Sequence, residues 1–196
     1  MSDFPYVVID PARVRVFFSR RTPTAKLVFA LNGALLPELL MRGNWDRRVH
    51  PIEDHPTYRL MATLYENRFS ADACYEPLVQ YYMARGRVEA AARDHADRRV
   101  GDYMRHYAEV CRSLREHGYR AERSDNQIGI AIDRNGAFVK VWEGHHRFAL
   151  ARILGVTRIV AEIRWVHTAW YRRFRRRGIG YSRKVLNAAI ATAANP

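Results

Sequence analysis

The densest chemistry in this chain lies in Glu143-Gly144-His145-His146-Arg147. Glycine lets backbone approach an anion closely, and arginine offers a planar, permanently charged fork that suits phosphate oxygens. The two imidazoles are suited to donating to a phosphate or to exchanging a proton near neutral pH. Glu143 suits contact with an amino or hydroxyl group of a substrate, service as a general base, or a plain ion pair with a nearby arginine. Glu143, His145 and His146 are thus the catalytic candidates, and Gly144, His145, His146 and Arg147 the candidates for holding a phosphate-bearing cofactor. The bland alternative is a strand-to-helix turn with a capping glycine and exposed histidines. Adjacent histidines diverge and no third ligand follows at a standard spacing, so a metal site is not expected. Asn44-Trp45-Asp46 is a second candidate, for substrate: its ring suits stacking and its polar neighbours suit hydrogen bonding. Trp45 equally suits a core anchor, with Asn44 and Asp46 stabilising a turn.

The flanking residues predict how the first motif is held. Two apolar runs, Ile128–Asp133 and Ala137–Trp142, flank Asn135-Gly136, which predicts a hairpin closed by a two-residue type I′ turn. Phe148, Leu150, Ala151, Ile153 and Leu154 recur at helical spacing, and Gly155 stands where a helix-ending glycine belongs. Arg158–Trp165 reads as a further strand. The motif therefore falls at a helix N-terminus, where unpaired N–H groups and the helix dipole favour phosphate.

A Gly-x-x-Arg turn between strand and short helix, followed by a glycine and a strand ending near His167, resembles the ParB/sulfiredoxin superfamily. In that superfamily the turn cradles the phosphates of a bound nucleotide. Glu-Gly-His-His-Arg is most similar to the turn of its free-serine kinase branch, with Glu143 in place of the usual Asp. The turn lacks the cysteine of sulfiredoxins and the Glu-Arg-Arg of chromosome-partitioning members. Glu66-Asn67-Arg68 is faintly similar to a phosphate-contacting motif of the partitioning proteins, but Ser70 stands where its arginine should be. The resemblance spans roughly forty of the 196 residues. It implies ATP or another nucleotide with Mg²⁺, a small hydroxylated substrate, and an acidic base near the N-terminal strands, for which Asp10, Glu38, Asp46 and Glu66 are candidates.

Elsewhere, Tyr6–Asp10 and Val14–Phe18 read as strands split by Asp10-Pro11. Lys26–Leu31 suits a strand, Pro37–Met41 a helical turn, and His50-Pro51 and His55-Pro56 an extended path. Helices are expected over Pro56–Phe69, Tyr75–Ala84 with Pro77 in its first turn, and Ala90–His117, which Gly101 could interrupt and Gly118 ends. His95, His106 and His117 on the last of these stand about 16 Å apart per step, too far to share a metal. Trp170, Tyr171 and Phe174 lie among Arg172, Arg173, Arg175, Arg176 and Arg177. That mixture suits nucleic acid, and also a packed helix face with arginines in water. Tyr181–Ala194 reads as a final helix.

Composition sets the outer limits. A net charge of +13 fits polyanionic partners, but only Lys26, Lys140 and Lys184 are lysines, as a GC-rich genome would also produce. Cys74 and Cys111 lack the spacing of a zinc site and suit packing. No stretch is long and apolar enough to span a bilayer, and the N-terminus lacks a signal pattern, so a cytoplasmic protein is expected. The expected fold is α+β over residues 1–196, a small mixed sheet with a helical insertion at 56–118 and a basic helical extension at 168–196. The expected function is a nucleotide-dependent phosphotransferase acting on a small hydroxylated substrate. A DNA- or RNA-binding protein or a nucleotide switch is the alternative.

Overall fold

In the computed structural model, which describes residues 5–19, 39–121, 127–174 and 182–194, the strands are β1 (Tyr6–Ile9), β2 (Val16–Phe18), β3 (Leu40–Met41), β4 (Val49–Pro51), β5 (Ile128–Ile132), β6 (Phe138–Lys140) and β7 (Ile159–His167). They form one mixed sheet in the order β1-β7-β5-β6-β2-β4, with β3 beside the far end of β7. The α-helices are α1 (Pro56–Glu66), α2 (Ala71–Ala84), α3 (Glu89–His117), α4 (His145–Ile153), α5 (Thr168–Phe174) and α6 (Arg183–Ala194). The α+β class expected from the sequence holds.

β5 and β7 form the centre of the sheet. Every residue of β5 is buried, which is why it reads as an unbroken apolar run rather than an alternation. β5 turns back antiparallel into β6, and α4 then carries the chain over to β7, parallel to β5. The hairpin forms where expected, but not with a type I′ turn. Only Gly136 takes a positive φ, of 95°; Asn135 does not. The Asp133 carboxylate accepts from the Asn135 and Ala137 amides at 2.7 and 2.8 Å, which holds Asn135 in an ordinary turn conformation and leaves the left-handed step to glycine.

Three packed regions surround this sheet. On one face Ile130, Ile163 and Val166 meet Phe148 and Ala151 of α4 and Leu186 and Ile190 of α6. On the other, Phe18, Trp45 and Trp165 form a small aromatic cluster with Val139 and Val141. Met61, Leu64, Leu78 and Met104 of α1–α3 pack on Ala149 and Leu150 of α4. α4 is therefore held between sheet and helices, which fixes the position of its N-terminus. Each side chain of this size, once buried, adds about 1.5–3 kcal/mol.

Several boundaries differ from expectation. α1 stops at Glu66 because Arg68 and Phe69 turn left-handed. α2 begins at Ala71, capped by Ser70, so Pro77 sits inside the helix rather than in its first turn. α3 passes unbroken through Gly101, where a side chain would meet nothing within 4 Å. Leu40–Met41 is a strand beside β7, not the helical turn expected over Pro37–Met41, and Leu39 before it is buried and left-handed, with φ 74°; Pro37, Glu38 and the Lys26–Leu31 strand lie outside the described residues. Among the described residues no helix is long and apolar enough to cross a membrane.

Candidate functional site

The Glu143–Arg147 turn is held from beneath by a residue that sequence reading passed over. Lys140, with 0% of its surface exposed, aims its ammonium inward. It donates to the carbonyls of Gly129 (3.2 Å), Glu143 (2.5 Å) and Val141. Burial holds its pKa well below the ordinary lysine value, more than Glu143 offsets. This clamp fixes two successive left-handed residues, Glu143 (φ 68°) and Gly144 (φ 62°). A Cβ on Gly144 would lie 2.9 Å from Ile128 Cα. Gly144→Ala should accordingly lose about 1–3 kcal/mol of stability, from the left-handed backbone and the contact. Urea unfolding at the wild-type midpoint would contradict that close approach.

From this turn the side chains diverge, because successive helical residues point about 100° apart. His145 stacks on His55, rings 4.5 Å apart and 17° from parallel. Burial, with Lys140, His55, His146 and Arg85 as neighbouring positive centres, pushes its pKa far down. His146 turns toward α2 and α3, where its Nε2 meets the hydroxyls of Tyr103 (2.9 Å) and Tyr81 (3.4 Å) and its ring stacks on Tyr107. Burial, and then the charges of Arg85 and His106, lower its pKa to about 4. Arg147 goes elsewhere again, donating to the Tyr119 hydroxyl at 3.3 Å. Neither histidine is therefore poised to exchange a proton near neutral pH, and His145, His146 and Arg147 do not converge on one phosphate.

The His146 shift has a sign that can be checked. An unfolded histidine titrates near 6.5 (about). Between there and about 4 the unfolded chain takes up a proton that folded His146 refuses. Stability is therefore intact above the higher value and falls with pH through that window, by about 3 kcal/mol in total. Urea unfolding at pH 7 and pH 4.5 should show a smaller acid loss in His146→Gln than in wild type. Equal losses would mean that this imidazole is not depressed.

What does converge is a cleft of about 170 Å³. It lies between the N-termini of α1 and α4, with Arg85 at the end of α2 and the half-buried ring of Trp142 on its walls. His55 caps α1, its Nδ1 accepting from the Thr57 amide at 3.1 Å. α4, whose first residue His145 lines the cleft, opens without a side-chain cap, which leaves first-turn amides for an anion. Arg85 donates to the Tyr81 hydroxyl at 2.6 Å, and that hydroxyl also stands 3.5 Å from Thr57 Oγ1. Arg85, Trp142, His55 and Tyr81 were not identified from sequence. His55 immediately before Pro56 is a readable helix start, but nothing local signals Arg85.

The remaining candidates take other places. Glu143 pairs with Arg164, which also holds Glu162 at 3.0 Å, so its carboxylate is engaged beside β7 rather than lining the cleft. Trp45, 3% exposed, belongs to the aromatic cluster on the far face of the sheet. Arg134 binds Asp46 at 2.6 Å and Asn44 at 2.8 Å. Burial would raise the Asp46 pKa, but Arg134 and the charge of His167 more than offset it and hold it low. Asn44-Trp45-Asp46 thus serves as an anchor, and does not line the cleft. Of the proposed bases, Asp10 caps the short turn after β1, Asp46 is paired, Glu66 lines a separate groove with Arg68 and Arg112, and Glu38 lies outside the described residues. Arg172 and Arg173 are exposed on α5 behind buried Trp170 and Tyr171; Arg175, Arg176 and Arg177 lie outside the described residues. Among the described residues no group of three or more His, Cys, Asp or Glu stands ready for a metal ion.

Comparison of the chain with protein-family models, with curated proteins and with solved structures returns no match.

Proposed function

We propose that the protein binds a nucleotide in the cleft between the N-termini of α1 and α4 and acts as a phosphotransferase on a small hydroxylated substrate. The observation that carries this reading is the meeting of Arg85 with the uncapped α4 terminus in a cleft walled by an aromatic ring. The resemblance of the turn at the start of α4 to the ParB/sulfiredoxin superfamily supports it as well. No carboxylate is among the described residues lining the cleft, so a phosphate entering it meets the Arg85 cation and N–H groups without like-charge repulsion.

A bound nucleoside triphosphate would supply the transferable phosphoryl group. Arg85 would neutralise and orient phosphate oxygens, the His145 and His146 amides would hydrogen-bond them, and Trp142 would offer its face to the ring system. Kept neutral by burial, His145 would serve as a hydrogen-bonding group rather than a fixed charge. Positioning and charge neutralisation are what phosphoryl transfer chiefly demands. The cleft does not fit a protein-held Mg²⁺, since its described lining supplies no carboxylate.

Calorimetric titration with ATP, ADP, AMP, CTP and GTP tests the reading, followed by a phosphoryl-transfer screen over hydroxylated small molecules with the nucleotides that bind. Saturable binding is expected; no binding to any of the five would overturn it. The exposure of Arg172 and Arg173 favours a second reading, DNA or RNA binding, which predicts affinity falling steeply with salt.

A further inference from the structure

Beside the cleft runs a groove of about 470 Å³ that shares Tyr81 and Arg85 with it. Arg87, from the connection between α2 and α3, and Arg99, from α3, also line it, together with His95. All three arginines are exposed. Arg87 lies over the Tyr82 ring at 5.9 Å, and Arg85 over the Tyr81 ring at 5.4 Å.

Their charge is uncompensated, in contrast with neighbours on the same helices. Arg93 is paired with Glu76 and Glu89, and Arg98 with Asp94. Among the described residues neither Arg85, Arg87 nor Arg99 has a carboxylate within ion-pair distance, and no carboxylate lines the groove. The uncompensated field extends to His95, whose pKa burial lowers first and Arg87 and Arg99 lower further. Three unneutralised guanidinium groups around one groove repel one another until a multivalent anion enters. Planar forks of this kind bind phosphoryl oxygens two at a time, and three of them around one groove suit a multiply charged anion better than a single carboxylate.

We propose that this groove is a second phosphoryl subsite, contiguous with the cleft through Arg85, so that the protein holds two phosphoryl groups side by side. The inference rests on the cleft reading for its first group and names the chemistry of the second. That second group is either the far end of the nucleotide's own polyphosphate or the phosphate of a separate phosphorylated acceptor.

The test is calorimetric titration of the full chain, wild type and the Arg87→Ala/Arg99→Ala double variant, with sodium pyrophosphate, AMP, ATP and glycerol 3-phosphate. Both substitutions fall on exposed side chains, and circular dichroism checks that the fold is kept. The double variant should bind pyrophosphate about tenfold more weakly or worse, the scale of a lost charge-assisted contact, and bind AMP within about twofold of wild type. A parallel loss for ATP assigns the subsite to the nucleotide's own phosphates. Glycerol 3-phosphate binding to ATP-saturated wild type, lost in the variant, assigns it to a separate acceptor. Pyrophosphate affinity that is absent in wild type or unchanged in the variant overturns the proposal. So does displacement of pyrophosphate by a mixed single-stranded oligonucleotide with the same arginine dependence, which would make the groove a nucleic-acid track. If wild type binds none of the nucleotides but binds pyrophosphate through Arg87 and Arg99, the cleft reading fails and the subsite stands.

Discussion

Arg85→Ala should weaken ATP binding about 10- to 100-fold, because charge-assisted hydrogen bonds to phosphate are worth about 1.5–3 kcal/mol. Arg85 is the cation common to cleft and groove, so its removal deprives both phosphoryl positions at once. Its own structural ties are modest, both to Tyr81: a hydrogen bond to the hydroxyl at 2.6 Å and a cation–π contact with the ring, each worth about 1 kcal/mol. The variant should therefore remain folded, and the affinity change should be readable by calorimetry. Arg85→Lys keeps the charge but not the planar fork and should fall between the two. Arg147→Ala makes the instructive control. From the motif alone that substitution should abolish phosphate binding, whereas Arg147 lies against Tyr119 in a separate pocket. Its nucleotide affinity should change much less than that of Arg85→Ala. ATP binding of equal strength in wild type and Arg85→Ala would remove the cleft as the phosphate site.

Lys140→Met should cost about 2–6 kcal/mol of stability. Methionine fills a similar volume, so the loss comes from the carbonyls left behind rather than from a cavity. Gly129 O retains the Val141 amide at 3.1 Å, which leaves the Val141 and Glu143 carbonyls to carry the cost at about 1–3 kcal/mol each. Release of the Glu143 carbonyl also frees the left-handed pair Glu143-Gly144 to relax, which displaces the first turn of α4. The variant should thus show a lower urea midpoint with an unchanged slope and, where still folded, weaker ATP binding. A midpoint matching wild type would mean that Lys140 does not hold the turn.

The turn itself was legible because its signals are local. Asn135-Gly136 between apolar runs, the helical spacing from Phe148 to Leu154 and the glycine stop at Gly155 each depend on a few neighbouring residues, and β5, β6 and α4 formed there. The turn type was not legible: a side chain two residues away, Asp133, captured the amides and spared Asn135 the left-handed conformation. Lys140 escaped notice for a related reason. In an alternating strand a lysine reads as the solvent side, and only the path of the chain from Val141 to Glu143, together with Gly129 of the neighbouring β5, brings three carbonyls around its ammonium.

By itself, then, the sequence determined the α+β class, the strand–turn–helix unit and the placement of glycine at its sharpest point. Backbone conformation and apolar periodicity are short-range properties, and these elements follow from them. Tertiary structure alone decided which side chains meet. His145, His146 and Arg147 are consecutive in the chain yet end in three different surroundings. Arg85 reaches the cleft from the end of a helix far away in sequence, because α2 packs on α1 and α3 in the same buried cluster as Ala149 and Leu150 of α4. Convergence of charge on one point is a property of packing between distant elements, which no local pattern encodes.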